Sequence, residues 1–152
     1  MENEPRPQYR AFHDGFHWDN VLRLPYKQEA AAPFKDTSRQ VLFREPGMGC
    51  ELRYFEMDAG GYSTLERHEH AHAVMILRGH GKCLLGDHVV AVNPFDLVTI
   101  PSSTWHQFRA TEGEALGFLC MVNQQRDRPQ LPSEQELRSL QSVPAISRFL
   151  AE

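Results

Sequence analysis

The segment GGYSTLERHEHAHAVMILRGHG, residues 60–81, carries the strongest pattern in this sequence. Within it, potential metal ligands occupy alternate positions: Glu66, His68, His70 and His72. Because side chains alternate between the two faces of a β-strand, an extended conformation predicts that all of them point to one side. A straight strand would place the first and last of them roughly 20 Å apart, too far for one metal ion. We therefore expect a turn within the segment.

From about residue 39 onward the pattern predicts an all-β fold. Short apolar runs alternate with turn signals such as Pro46-Gly47 and Pro101-Ser102, which is typical of a β-sandwich or β-barrel. Gly86-Asp87 predicts a two-residue hairpin. The strand candidates are residues 39–44, 50–58, 62–69, 71–78, 82–85, 88–92, 97–100, 105–110 and 115–123.

The two ends of the chain differ from this central part, residues 39–124. Residues 1–38 are rich in proline and aromatic residues without a sustained period, which predicts an extended arm. So many aromatic side chains favour packing of the arm on the domain or on a second subunit. In the tail, residues 125–152, Ser133 and Glu136 form a capping-box pattern that predicts a short helix, and Pro144 ends that helix or starts another.

Length and charge exclude several classes of protein. A chain of 152 residues accommodates one domain, and a formal net charge of -4 provides no basic surface for nucleic acid. No apolar stretch approaches the ~20 residues that a membrane span requires. The acidic start lacks the features of a secretory signal, and the three cysteines predict free thiols. We expect a cytoplasmic protein that binds neither nucleic acid nor membrane.

The histidine segment resembles the first motif of the cupin superfamily, in which histidines and a glutamate precede a glycine. Here Gly61 is followed by four residues, Glu66-x-His68, three residues, His72, six residues and Gly79. Glu66 stands where the family's first histidine usually lies, and His72 stands where its glutamate lies. The resemblance therefore implies the same set of ligand types with two positions exchanged.

The second cupin motif is matched less fully. Pro101 and His106 have the family's spacing, whereas Ser103 replaces the usual glycine and Ala110 replaces the usual asparagine. The resemblance spans about residues 40–124. It implies a single jelly-roll β-barrel with a metal near its open end, and often a homodimer.

The resemblance implies that Glu66, His68, His72 and His106 are the metal ligands. An alternative register pairs His68 with His70, but Val74 and Met75 then stand where a carboxylate is needed. In the favoured register His70 lies in the connecting turn, as a solvated residue or as a group that contacts substrate. A site of three imidazoles and one carboxylate suits one divalent transition metal, with Mn or Fe favoured and Co, Ni, Cu or Zn also compatible.

Further candidates lie on two predicted strands. Arg53 shares a strand face with Phe55 and Met57, and the cupin resemblance implies that this face points into the barrel. Arg53 is predicted either to bind a substrate phosphate or carboxylate, or to form a salt bridge with Glu51 or Glu56.

Phe118 and Cys120 share a face of the last strand, where Phe118 is expected to contact substrate. Cys120 is either a reactive thiol near the cation or a small buried apolar residue.

These features predict a metal-dependent cupin enzyme acting on a small molecule. The chain most resembles the bacterial cupins of the methylthioadenosine salvage route that act as methylthioxylulose phosphate methylsulfurylases. That resemblance implies carbon–sulfur chemistry on a sugar phosphate with a thiol acceptor, in which Cys120 and Glu66 are catalytic. One alternative is a quercetinase-like dioxygenase, in which Glu66 acts as base. The other is a cupin that binds a metal or small ligand without catalysis.

Overall fold

The computed structural model describes residues 7–26 and 35–152. Within these ranges the chain forms strands and two short helices at its C-terminal end. The strands are β1 (Phe12–His13), β2 (His17–Trp18), β3 (Leu24–Pro25), β4 (Lys35–Arg44), β5 (Cys50–Tyr62), β6 (His72–Arg78), β7 (Gly81–Leu85), β8 (His88–Val92), β9 (Leu97–Ile100), β10 (His106–Ala110) and β11 (Leu116–Asn123). The helices are α1 (Glu134–Gln141) and α2 (Pro144–Ala151).

Most strands belong to one curled antiparallel sheet. Its order is β8-β7-β10-β5-β11-β6-β9, with β4 paired to β5 and β3 paired to β4. The predicted all-β fold is confirmed. The predicted hairpin at Gly86-Asp87 is also confirmed, since it joins β7 to β8 with Leu85 opposite His88 and a φ of 66° at Gly86.

The inner face of the sheet forms the main hydrophobic core. Phe118 on β11 lies opposite Phe55 on β5 and Ile76 on β6, and all three side chains are buried. The Phe118 ring stacks on Phe55 at 5.8 Å and on Phe108 at 4.8 Å between centroids. Each such side chain contributes about 1.5–3 kcal/mol through its burial, so this row holds the curled sheet together.

The predicted strand at residues 62–69 is wrong. β5 ends at Tyr62, and residues 63–71 form an irregular connection to β6. The backbone of Glu66 exchanges hydrogen bonds with His106 at 3.2 and 3.0 Å, and that of Arg67 exchanges them with Gln130 at 3.1 and 2.8 Å. These partners lie at the start of β10 and in the C-terminal tail, so the connection bends between them. The turn expected within the histidine segment is therefore present.

The first part of the described arm packs on the outer face of the sheet. β1 and β2 form a small hairpin. From this hairpin, Phe16 stacks on the Tyr54 ring at 5.7 Å and Trp18 meets the same ring edge-on at 5.2 Å. β3 then pairs with β4, whose first residues, 35–38, fall within the range assigned to the arm from sequence. Arm residues 1–6 and 27–34 lie outside the described residues.

The C-terminal helices cover the side of the sheet near β7. α1 begins with the predicted capping box between Ser133 and Glu136, and α2 begins at Pro144. Their apolar side chains form a second cluster with one residue of β7: Leu84, Leu140, Ile146 and Phe149. Among the described residues, no helix is long and apolar enough to span a membrane.

Gly79, in the turn between β6 and β7, is expected to tolerate no side chain. Its φ is +74°, and a Cβ there would lie 1.9 Å from the carbonyl oxygen of Ala115. Gly113 has a φ of +93°, but a Cβ there would meet no atom within 4 Å. A substitution at Gly113 therefore measures the cost of the backbone conformation alone, without a steric clash. We expect Gly79→Ala to lower the free energy of unfolding by at least about 2 kcal/mol and Gly113→Ala by about 1 kcal/mol. Urea denaturation measures both, and equal losses would contradict the role assigned to the close approach.

Candidate metal centre

Three histidines converge at one end of the sheet. His68 lies in the 63–71 connection, His72 is the first residue of β6, and His106 is the first residue of β10. Their ligand nitrogens all lie within 4.8 Å of one another, which positions them to hold one metal ion. The bend in the connection makes this possible, because it brings His68 beside two strand ends that are not neighbours in the sheet.

Hydrogen bonds orient two of the imidazole rings. Nδ1 of His68 donates to the carbonyl oxygen of His70 at 2.7 Å, and Nδ1 of His106 donates to that of Thr104 at 2.9 Å. A neutral imidazole carries one proton, so each Nε2 is left with a lone pair. Outer partners of this kind are usual for histidines that bind metals.

His72, the third histidine of the group, has a side chain that is largely shielded from solvent. Its Nε2 is buried without a hydrogen-bond partner among the described residues, and its Nδ1 lies 3.2 Å from Sγ of Cys120. Burial, reinforced by the neighbouring imidazoles, lowers the pKa of His72 to about 2. Burial likewise lowers the pKa of His106 to about 4. Both rings are therefore neutral near pH 7, the state that binds a cation, and the donor set fits a divalent transition metal.

Glu66 lies beside this group without belonging to it. Its side chain is buried in the wall of the same cavity, and Oε1 lies 4.0 Å from Nε2 of His106. The structure thus brings all four predicted ligand residues to one place, with the three imidazoles at closer range than the carboxylate.

His70 bonds to the C-terminal tail and is not part of the histidine group that can hold a metal. Its Nδ1 lies 2.7 Å from Oδ1 of Asp127, and its ring stacks parallel to that of His68 at 3.7 Å between centroids. The group that can hold a metal contains His72 and not His70. His70 still forms part of the cavity wall, where a substrate can reach it.

Asp127 is a site residue that the sequence analysis missed. Its carboxylate accepts hydrogen bonds from the backbone N–H groups of Glu69 and His70, at 2.7 and 3.0 Å. These bonds, the one to Glu69 first, hold the pKa of Asp127 well below its usual range. The carboxylate thus fixes Glu69 and His70, two of the three residues between His68 and His72, although it lies in the tail far along the chain.

We expect Asp127→Ala to weaken metal binding by about 10-fold, since outer partners of metal ligands typically contribute 10–100-fold in affinity. The substitution frees the backbone between His68 and His72 but removes no ligand. Asp87→Asn, in the exposed β7–β8 hairpin, is the matched control. Competition with a chelating dye measures the dissociation constant. If the metal dissociation constant of Asp127→Ala equals that of Asp87→Asn, the tail does not position the ligands.

The histidines line one end of a cavity of about 190 Å³. This volume lies below the roughly 300–1,000 Å³ of pockets for drug-sized ligands, which favours a small metabolite. The candidates Phe118, Cys120 and Arg53 line the cavity, and so do Arg39 and Arg126, which the sequence did not single out.

Arg53 is buried with an exposed fraction of 7%. Its Nε lies 3.6 Å from Oε1 of Glu51, a carboxylate that also binds Arg44 at 2.8 Å and Arg126 at 3.1 Å. Arg53 therefore lines the cavity and also lies near Glu51, a position compatible with both alternatives drawn from the sequence. Three guanidinium groups surround this one carboxylate, so the local charge is positive.

Cys120 lies between Arg53 and His72. All three cysteines of the chain are free, and Cys120 is buried. Burial raises the pKa of the Cys120 thiol, while the adjacent Arg53 guanidinium acts in the opposite direction. With a metal ion on Nε2 of His72, the ring proton would reside on Nδ1 and would be donated to a Cys120 thiolate.

Comparison with known proteins identifies the family. Residues 53–122 match the family model described as Cupin domain. A curated relative from Rhodospirillum rubrum, 1-methylthio-D-xylulose 5-phosphate methylsulfurylase, is 55% identical over 148 residues, which cover 97% of this chain and 94% of the relative. This chain belongs to the cupin family.

Solved cupin structures support the same assignment. A cupin 2 conserved barrel domain protein from Rhodopseudomonas palustris is 57% identical, with a TM-score of 0.87 over 93% of this chain and 98% of that one. A cupin-2 domain from Rhodospirillum rubrum is 55% identical, with a TM-score of 0.85 over 94% of this chain and 96% of that one. The single jelly-roll cupin barrel with a C-terminal helical tail, predicted from the motifs, is confirmed.

Proposed function

We propose that this cupin is a metal-dependent methylsulfurylase that transfers the methylthio group of 1-methylthio-D-xylulose 5-phosphate to a thiol. The observation that carries the proposal is the 3.2 Å contact between Cys120 Sγ and His72 Nδ1, which puts a thiol at the wall of the histidine-lined cavity. The name of the 55% identical relative supports the substrate.

The proposed ligands are the three histidines and Glu66, through Oε1. A divalent metal bound there, with Mn or Fe(II) favoured, would polarise the substrate carbonyl and stabilise the enolate formed from it. A carboxylate in the position of Glu66 also takes up and returns a proton during the reaction. In this proposal Phe118 packs against the carbon chain of the substrate and His70 contacts its hydroxyl groups.

The transfer is a sulfur displacement in two steps. The Cys120 thiolate attacks the methylthio sulfur, an S–S bond forms, and the C1–S bond breaks with its electron pair passing to C1 and the adjacent carbonyl as an enolate. A proton then adds to C1, which becomes a methyl group. A second thiol attacks the mixed disulfide, releases the methylthio group as a methyl disulfide and restores Cys120. Overall, C1 is reduced and the acceptor thiol is oxidised.

Within this scheme, Arg53 and the Nδ1–H of His72 hold the negative charge on Sγ of Cys120. Both lie against the thiol, one by its guanidinium charge and the other at 3.2 Å. Hydrogen bonds from charged or polarised donors stabilise a thiolate against the burial that opposes its formation.

The test uses the untagged protein, with its metal content measured per chain. We expect about one equivalent of transition metal and anaerobic conversion of 1-methylthio-D-xylulose 5-phosphate with a monothiol acceptor such as 2-mercaptoethanol. Proton NMR should detect the new C1 methyl group of the 1-deoxy product, and mass spectrometry the methyl disulfide. A requirement for oxygen would favour the dioxygenase instead. Absence of bound metal after reconstitution would favour a binding protein.

A further inference from the structure

Another arginine that faces the cavity, Arg39, has no part in the proposed chemistry. Arg39 on β4 lies directly opposite Phe55 on β5, so the two side chains share the inner face of the sheet. Arg39 lines the cavity, and its Nε is buried without a hydrogen-bond partner among the described residues. Burying an unpaired donor of a charged group costs free energy unless an anion binds there.

Aromatic rings separate this arginine from the proposed thiol centre. The Arg53 guanidinium lies 4.8 Å from the centroid of the Phe55 ring, Tyr26 meets that ring edge-on at 5.0 Å, and the Arg39 guanidinium lies 5.5 Å from the Tyr26 centroid. Arg53 pairs with Cys120 across β5 and β11. Arg39 pairs with Phe55, so it lies one inward position further along the sheet than Arg53. Arg53 lies beside Cys120 and near Glu51, whereas Arg39 forms no ion pair with a carboxylate among the side chains that the structure describes.

From this placement we infer that Arg39 binds the phosphate monoester of the substrate, one inward position along the sheet from Arg53 and Cys120. A guanidinium fork matches two phosphate oxygens, and an aromatic ring beneath it fixes its plane. The inference rests on the proposed function in one respect: a ketose phosphate with C1 at Cys120 carries its phosphate at the opposite end of its carbon chain. It assigns the phosphate to Arg39 rather than to Arg53, the residue that the sequence favoured.

The experiment measures binding without turnover. D-xylulose 5-phosphate and D-xylulose both lack the methylthio group, and isothermal titration with the metal-loaded full chain gives their dissociation constants. We expect the wild type to bind the phosphate ester at least about 30-fold more tightly, the effect of one well-placed charged pair. Arg39→Met should reduce this ratio to near one. Arg148→Met, an exposed arginine of α2, should leave it unchanged.

Arg39→Lys is a second variant that tests the inference even if Arg39→Met fails to fold. Lysine keeps the charge but loses the fork, so the ratio should fall by about 3- to 10-fold. Thermal melting and metal content verify that each variant is folded. A wild-type ratio near one, or an unchanged ratio in both Arg39 variants, would overturn the inference.

The outcome is separable from that of the proposed function. If the protein binds D-xylulose 5-phosphate through Arg39 but does not convert the methylthio substrate, the phosphate site stands and the methylsulfurylase proposal fails. If it converts the substrate and Arg39→Met leaves the phosphate preference unchanged, the function stands and the phosphate site is wrong.

Discussion

Protein carrying His72→Ala is expected to lose its metal and its activity together. His72 provides the most deeply desolvated nitrogen of the group, a buried Nε2 without a partner among the described residues. Removing it leaves two imidazoles, and the loss of affinity should exceed the roughly 10–100-fold effect of removing an outer partner. Elemental analysis after dialysis and a chelator competition measure the loss.

His70→Ala is the matched control, since it removes an imidazole two positions away. His70 bonds to Asp127 and stacks on His68, but the backbone N–H groups of Glu69 and His70 would keep their bonds to Asp127. We expect this variant to keep most of its metal, and we expect Glu66→Ala and His106→Ala to lose it. Metal retained in Glu66→Ala and lost in His70→Ala would contradict the proposed ligand set.

The fold was predictable because most of its strands, turns and helix ends are determined by residues that are close in sequence. Strand alternation and turn residues such as Gly86-Asp87 act over a few positions, and outside residues 63–71 the sheet uses these signals as predicted. The capping box at Ser133 is equally local. The resemblance to the two cupin motifs supplied the candidate ligands Glu66, His68, His72 and His106.

The failures all involve contacts between distant parts of the chain. Residues 62–69 alternate like a strand, but the backbone of Arg67 bonds instead to Gln130 in the tail. Asp127 and Arg39 carry no motif, and each becomes a site residue only when the curled sheet brings it to the cavity. Side-chain periodicity reports which face a residue occupies and not which remote residue it meets.

Cys120→Ser is expected to abolish methylthio transfer while leaving the metal in place. Serine retains a hydrogen bond to His72 but cannot form the S–S bond on which the proposed displacement depends. We expect kcat to fall at least about 10³-fold, as on removal of other covalent nucleophiles. Cys50→Ser is the control, because Cys50 is also free but does not line the cavity. The metal-bound fraction should be equal in both variants, which separates this effect from that of His72→Ala.

The covalent step has a direct signature of its own. Wild-type protein given substrate without an acceptor thiol should stop after one turnover, with Cys120 heavier by a methylthio group that replaces one hydrogen. Peptide mass spectrometry locates the adduct, and dithiothreitol should release it. Turnover by Cys120→Ser at the wild-type rate would mean that the external thiol attacks the substrate directly. The contact between Cys120 and His72 would then serve only to orient the imidazole, as the outer partners of His68 and His106 do.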